Sequence, residues 1–310
     1  MIEVQSLTRY YGSRRAVDDV SFTIASNEVV GFLGLNGAGK STTLKVLAGL
    51  LQPSKGTVRI DGVDLSEAPV SFRGRIGYLP DEPPVYKEMT VEGYLRFVGS
   101  LRGMSAAQLD ARLPSVLAKT QLVGFNHRII DELSHGYKQR VGIAQAIVHA
   151  PKLVILDEPI SGLDPVQIVE MRSVIRGLAQ ESTVLLSSHN LPEISQTCDH
   201  ILVLHRGRLV AKGSEHDLAA GSKGGLGVDL LVLGELARVQ EALSRHELVA
   251  SAACKARDTG LVEARVVLKE DRREALIAAL VAQGFGIRRV EDTRGELETI
   301  FLDLTREDAA

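Results

Sequence analysis

Eight consecutive residues, Gly34-Leu-Asn-Gly37-Ala-Gly39-Lys40-Ser41, have the composition of an anion-binding loop. Glycines let a backbone curl until successive N–H groups point at one centre. A helix that starts directly after the loop adds its unpaired N–H groups and the positive end of its dipole. The spacing fits G-x-x-x-x-G-K-S, in which the lysine reaches the β- and γ-phosphates of a nucleotide and the serine ligates Mg²⁺. A plain glycine turn between strand and helix has a similar composition. Here, however, the apolar run Val29 to Leu33 precedes the loop, and Leu44, Leu47, Ala48 and Leu51 follow at helical spacing. The expected ligand is therefore a nucleoside triphosphate with Mg²⁺, and the expected contacts are Asn36, Gly37, Ala38, Gly39, Lys40, Ser41 and Thr42.

A second acidic element fits the same chemistry. Leu153-Val-Ile-Leu156 is an apolar strand that ends in Asp157 and Glu158. In this class of site the acid at the strand end holds the Mg²⁺ shell. The acid after it is placed to orient or deprotonate an attacking water. An acidic turn capping a strand is common, and it is the phosphate loop upstream that gives the pair its catalytic reading.

The segment Leu133-Ser-His-Gly-Tyr-Lys-Gln-Arg140 lies just ahead of the acidic strand. Ser134 is suited to an N-cap, and Val141, Ala144, Ile147 and Val148 form an apolar stripe behind it. Ser134 and Gly136 are thus expected at a helix N-terminus, a second place for an anion. Read as a motif, LSHGY resembles the LSGGQ signature of the ABC ATPases. Ser161-Gly-Leu-Asp164 resembles that family's D-loop, Ser187-Ser-His189 its switch histidine, and Tyr11-Gly12 the aromatic that stacks on adenine. These motifs stand in the family's order across residues 1 to about 220.

The resemblance implies ATP as the nucleotide and two ATP molecules held between two chains. One chain would cradle each triphosphate with Lys40, and the other would seal it with Ser134 and Gly136. It also implies that His189 contacts the γ-phosphate, that Asp164 lies at the dimer interface and that Tyr11, rather than Tyr10, meets the base. One departure stands out. Where the family carries a glutamine after the strand Ile76 to Leu79, this chain has Pro80-Asp81-Glu82. Asp81 is a candidate Mg²⁺ ligand, since that ion accepts either kind of oxygen donor. The acidic residue followed by prolines, and the ending Leu297 to Thr305, are similar to ATPases that serve type-2 ABC exporters.

The elements that must position these residues follow from patterning. Ile2 and Val4 mark one strand, Val20, Phe22 and Ile24 another, and Val184 to Leu186 and Ile201 to Leu204 are further strand runs. Val91, Tyr94, Leu95, Val98 and Leu101 share one helical face, with Thr90 as N-cap. The expected fold is α/β: a P-loop NTPase core with a mostly parallel sheet, an N-terminal antiparallel β subdomain and a helical signature subdomain over about 82–150. Gly221 to Gly225 reads as a linker between a domain over 1–220 and a small α+β domain over 226–310, the latter ending in an amphipathic helix through Leu297, Ile300, Phe301 and Leu304.

Bulk properties narrow the partners. A net charge of −3 in 310 residues gives no pull toward nucleic acid. Cys198 and Cys254 have no metal-ligand spacing, which fits a reducing cytosol. No leader-like segment opens the chain, and no apolar run approaches the ~20 residues of a membrane span. The expected setting is the inner face of a membrane, with a separate integral-membrane permease as partner and a second copy, or a homologous subunit, as the other half of the dimer. The alternative is a non-transport ABC ATPase acting on a cytosolic macromolecule. A single set of ATPase motifs, no heptad run and no basic block speak against it.

Overall fold

Strand patterning governs the N-terminal region. In the computed structural model, which describes residues 1–214, 217, 227–257, 260–270 and 272–292, strands β1 (Ile2–Tyr11) and β2 (Arg14–Ile24) form a hairpin. Their buried residues, Ile2, Val4, Leu7, Val20, Phe22 and Ile24, face one side. With β4 (Lys55–Ile60) and β5 (Val63–Asp64) they make an antiparallel sheet in the order β2-β1-β4-β5.

A second sheet carries the chemistry. It contains β3 (Val29–Leu33), β6 (Ile76–Leu79), β7 (Leu153–Leu156), β8 (Thr183–Ser188), β9 (His200–His205) and β10 (Arg208–Gly213), in the order β10-β9-β3-β8-β7-β6. All its pairings are parallel except that of β10 with β9. Every residue of β3, β7 and β8 is buried, as near-continuous apolar runs covered on both faces require. One core joins the two sheets: Phe22 meets Phe32 edge to face at 5.5 Å, beside Leu44, Leu47, Ile155 and Leu185.

Helix α1 (Lys40–Leu47) follows β3, and α2 (Pro69–Gly74) precedes β6. That second helix has six residues with proline at its start, too short for periodicity to reveal. The helical region comprises α3 (Val91–Leu101), α4 (Ala106–Lys119), a 3₁₀ turn at Ile130–Glu132 and α5 (His135–Ile147). Thr90 caps α3 by accepting from the Gly93 N–H at 3.1 Å. Helices α6 (Pro165–Leu178) and α7 (Leu191–Thr197) flank β8 in sequence.

The chain divides into two units, Met1–Ser214 and Glu215–Ala310. The second runs β11 (Gly227–Leu233), α8 (Leu236–Arg245), β12 (Val249–Ala256), β13 (Leu261–Leu268), α9 (Arg273–Ala282) and β14 (Gly286–Asp292). Its sheet, β12-β13-β11-β14, is wholly antiparallel, which is the split βαβ arrangement. Val228, Val232, Val239, Leu243, Val266, Leu276 and Leu280 fill its core. The linker expected at Gly221–Gly225 and the helix expected through Leu297 and Leu304 lie outside the described residues.

Candidate active site

The phosphate loop closes on itself between β3 and α1. Gly37 and Gly39 adopt φ of 86° and 104°, the left-handed region where a side chain is strained. Gly39 has a second reason to be glycine: a Cβ there would stand 2.7 Å from the Ala16 carbonyl oxygen of β2. Lys40 folds back over the loop, its Nζ donating to the Gly34 carbonyl at 2.5 Å and the Leu35 carbonyl at 3.3 Å. The side chain is 6% exposed. Burial pushes its ammonium below the ordinary lysine range, and the charges of Glu158 and Asp157 oppose that shift.

The two acids stand where expected at the end of β7. Asp157 is buried, and its Oδ1 accepts from Ser187 Oγ at 2.6 Å and from Ser41 Oγ at 3.4 Å. Glu158 has φ of 49°, unusual for a residue with a side chain. One carboxylate oxygen lies 3.9 Å from Lys40 Nζ, and the other lies 3.0 Å from His189 Nδ1. His189 follows β8 and is 53% exposed.

A cleft of about 400 Å³ lies over the loop and the two acids, while His189 reaches it only through its contact with Glu158. Tyr11, Asn36, Gly37, Gly39, Lys40, Ser41, Thr42, Asp81, Asp157 and Glu158 all line it. Ala38 does not: its side chain is buried, and its N–H donates to the Leu35 carbonyl at 3.1 Å. Strand geometry separates the two tyrosines. Tyr11 pairs across the hairpin with Arg14 and Tyr10 with Arg15, and successive residues face opposite sides. Tyr11 looks onto the cleft with the Arg9 guanidinium 5.3 Å from its ring centre, while Tyr10 is covered by Arg15. Arg14 and Ala16, which no motif includes, also line the cleft, as does Leu35, a variable position of the phosphate loop. For Arg14 the signal was available, since a two-residue hairpin turn at Gly12 and Ser13 puts it opposite Tyr11.

The remaining residues sit apart from this cleft. Ser134 occupies the N-cap position of α5, but its side chain makes no cap hydrogen bond, contrary to the expectation for a capping serine. Its carbonyl alone begins the helix, accepting from the Lys138 N–H at 2.9 Å. Asp164 does cap: one carboxylate oxygen accepts from the N–H groups of Val166 and Gln167, at 3.0 and 2.9 Å, at the start of α6. Gly136 and Asp164 line a separate recess with Tyr137, Arg140 and Gln167. His135, in the third position of the signature, brings Nε2 within 3.3 Å of the Ser161 carbonyl. Tyr137 is a packing residue, stacked on Phe125 at 4.3 Å and lying 5.1 Å from the Arg140 guanidinium. The Asp81 carbonyl accepts from Gln139 Nε2 of α5 at 3.4 Å, tying the loop after β6 to that helix.

Comparison with known proteins shows the family. The ABC transporter family model matches residues 17–161. An uncharacterised ABC transporter ATP-binding protein of Bacillus subtilis, YxlF, is 33% identical over 302 residues, covering 97% of this chain and 98% of that one. The bacitracin transport ATP-binding protein BcrA of Bacillus licheniformis is 38% identical over 215 residues, 68% of each chain. A solved structure of the ATP-binding subunit of an ABC transporter superimposes with a TM-score of 0.63 at 36% identity, over 70% of this chain and 91% of that one. With the loop, the acids and the signature helix in place, the chain belongs to the ATP-binding subunits of ABC transporters and is an ABC ATPase.

Proposed function

We propose that two copies of this chain, or one copy with a homologous subunit, bind two ATP molecules between them and drive a separate membrane permease by closing and reopening. The observation that carries this reading is the meeting of Lys40, Asp157 and Glu158 in one cleft, with His189 hydrogen-bonded to Glu158 at 3.0 Å. Lys40 holds the β- and γ-phosphates, the loop from Asn36 to Thr42 cradles them, and Tyr11 stacks on the base. The donor set fits Mg²⁺: the Ser41 hydroxyl lies 3.4 Å from a carboxylate oxygen of Asp157, and Asp81 lines the same cleft. Among the described residues no group of three or more His, Cys, Asp or Glu side chains forms a metal cage. An ion held by one or two protein oxygens and the nucleotide's own phosphates suits that arrangement. When bound it neutralises charge that develops on the β- and γ-phosphates.

Glu158 takes the proton as the water oxygen bonds to the γ-phosphorus and the bond to the β–γ bridging oxygen breaks, leaving ADP and inorganic phosphate. His189 orients Glu158 and reaches the γ-phosphate. Ser134, Gly136 and Asp164 stand outside their own chain's cleft, and in this reading they serve the nucleotide of a second chain. Among the described residues no helix is long and apolar enough to cross a membrane; in this reading the permease is a separate chain, which this one binds from the cytoplasmic face. Export is the favoured direction, on the Asp81 segment and on the likeness to BcrA, whose name includes bacitracin transport.

Glu158→Gln tests the reading. The variant keeps the shape of the side chain and loses the base. It should bind ATP, form an ATP-dependent dimer visible by light scattering, and lose turnover by about 10²–10⁴-fold. Turnover at the parent rate would remove Glu158 as the base. A monomer at saturating ATP would remove the shared-nucleotide dimer.

A further inference from the structure

We propose that Ser187 is a positioning residue for ATP hydrolysis, a single buried hydroxyl that sets both the Mg²⁺-side acid and the catalytic base. The inference rests on the roles given above to Asp157 and Glu158. Ser187 is fully buried, with 0% exposure, near the end of the apolar strand β8. A hydroxyl in such a place is costly unless its bonds are made. It makes two. Its proton goes to Asp157 Oδ1 at 2.6 Å, and its oxygen accepts the Glu158 N–H at 3.0 Å.

Each bond has a distinct consequence. The first orients the carboxylate that faces Ser41, leaving a lone pair on that oxygen and the whole of Oδ2 for other partners. The second holds the backbone of Glu158 in its left-handed conformation, φ 49°, a state a side-chain-bearing residue keeps only when its surroundings impose it. That backbone sets the carboxylate of Glu158 between Lys40 and His189. The Asp157 N–H is separately tied to the Leu79 carbonyl at 2.9 Å, so the turn is held from β6 as well as from β8. The neighbouring Ser188 serves a different turn. Its hydroxyl donates to Glu193 at 2.7 Å and accepts from the Asn190 N–H at 3.0 Å, shaping the segment that carries His189.

Three variants of the full chain test this. Ser187→Ala removes both bonds, and Ser187→Cys keeps nearly the same shape with a weak donor and acceptor. Ser182→Ala is the structural control, since it removes another buried serine bond, 2.7 Å to the Pro151 carbonyl, away from the acids. Both Ser187 variants should lower kcat, measured at saturating ATP and Mg²⁺, by about 10–100-fold. Calorimetry should show ATP binding unchanged in EDTA and the added affinity from Mg²⁺ reduced by about 10-fold. Ser182→Ala should lower Tm and leave kcat within about 2-fold. The proposal is overturned if Ser187→Cys turns over at the parent rate. It is also overturned if Ser187→Ala loses no more kcat than Ser182→Ala does at an equal fall in Tm. A Glu158→Gln enzyme that still hydrolyses ATP would instead sink the underlying assignment, whatever the serine variants do.

Discussion

The two units of this chain treat charge in opposite ways. Among the described residues, all buried charged side chains (Lys40, Asp64, Arg140 and Asp157) belong to the first unit. The second unit buries aliphatic residues and leaves its ions at the surface in pairs, such as Arg265 with Asp229 at 3.0 Å and Arg257 with Glu263 at 2.7 Å. Taking a charge out of water costs several kcal/mol unless partners compensate: Asp64 is paired with Arg59 and Arg140 with Glu170, while Lys40 and Asp157 line the cleft. The backbone tells the same story. Among the described residues every positive-φ residue other than glycine, Glu158 at the cleft among them, belongs to the first unit, whereas the second has positive φ only at Gly260 and Gly284. The first unit holds strained, desolvated groups ready for a ligand, while the second is an apolar scaffold whose surface charges contribute little.

Removing the buried cation should have the largest effect on that contrast. Lys40→Ala leaves Asp157 and Glu158 without their neighbouring positive charge and deletes the group proposed to hold the phosphates. ATP affinity, measured by calorimetry, should fall by about 100-fold or more. Affinity within about 3-fold of the parent would show that the loop backbone alone binds the phosphates.

A middle-sized effect is expected from acid. His149 is half-buried, and its Nε2 donates to the Ile76 carbonyl at 3.0 Å, since a carbonyl oxygen only accepts. Burial above all, with the Arg102 charge second, pulls its pKa from 6.5 down to about 4. Between those values the unfolded chain binds the proton and the folded chain does not. Stability is therefore full above about pH 6.5 and falls as pH drops toward 4. Allowing for partial exposure, the loss is about 1–2 kcal/mol. Denaturant unfolding of parent and His149→Gln at pH 7.5 and 4.5 should show a smaller loss in the variant. Equal losses would assign the acid sensitivity elsewhere.

The smallest change is expected in the second unit. Asp229→Ala breaks an exposed pair on its sheet and should cost under about 1 kcal/mol, with ATP turnover unchanged. A measured cost above about 2 kcal/mol would mean that the charges on this sheet do more than decorate it.

Much of the site was legible because its parts are covalent neighbours. Gly34 to Ser41 carries its own curvature and ligands, and Asp157 and Glu158 follow a strand that is apolar throughout. The switch from period-2 to helical spacing likewise located β1, β2, β3, α1, α3, β8 and β9 of the first unit. Relations between segments were harder to read. Ser134 has the residue type of a cap and does not make the bond, whereas Asp164, thought of chiefly as an interface residue, does. Residue type limits which bonds can form, and the packing around a helix end selects which do.

Ser187 shows where the boundary lies. Strand propensity, turn glycines and the order of motifs are local, and the amino-acid sequence by itself determined them, down to the loop that curls around Lys40. Strand register is not local. Parallel pairing sets Leu156 against Leu186 and thereby puts the next residues, Asp157 and Ser187, in hydrogen-bond contact across 30 positions of chain. A slip of one residue would turn each side chain to the other face of the sheet, so only the folded tertiary structure decided which serine holds the acids.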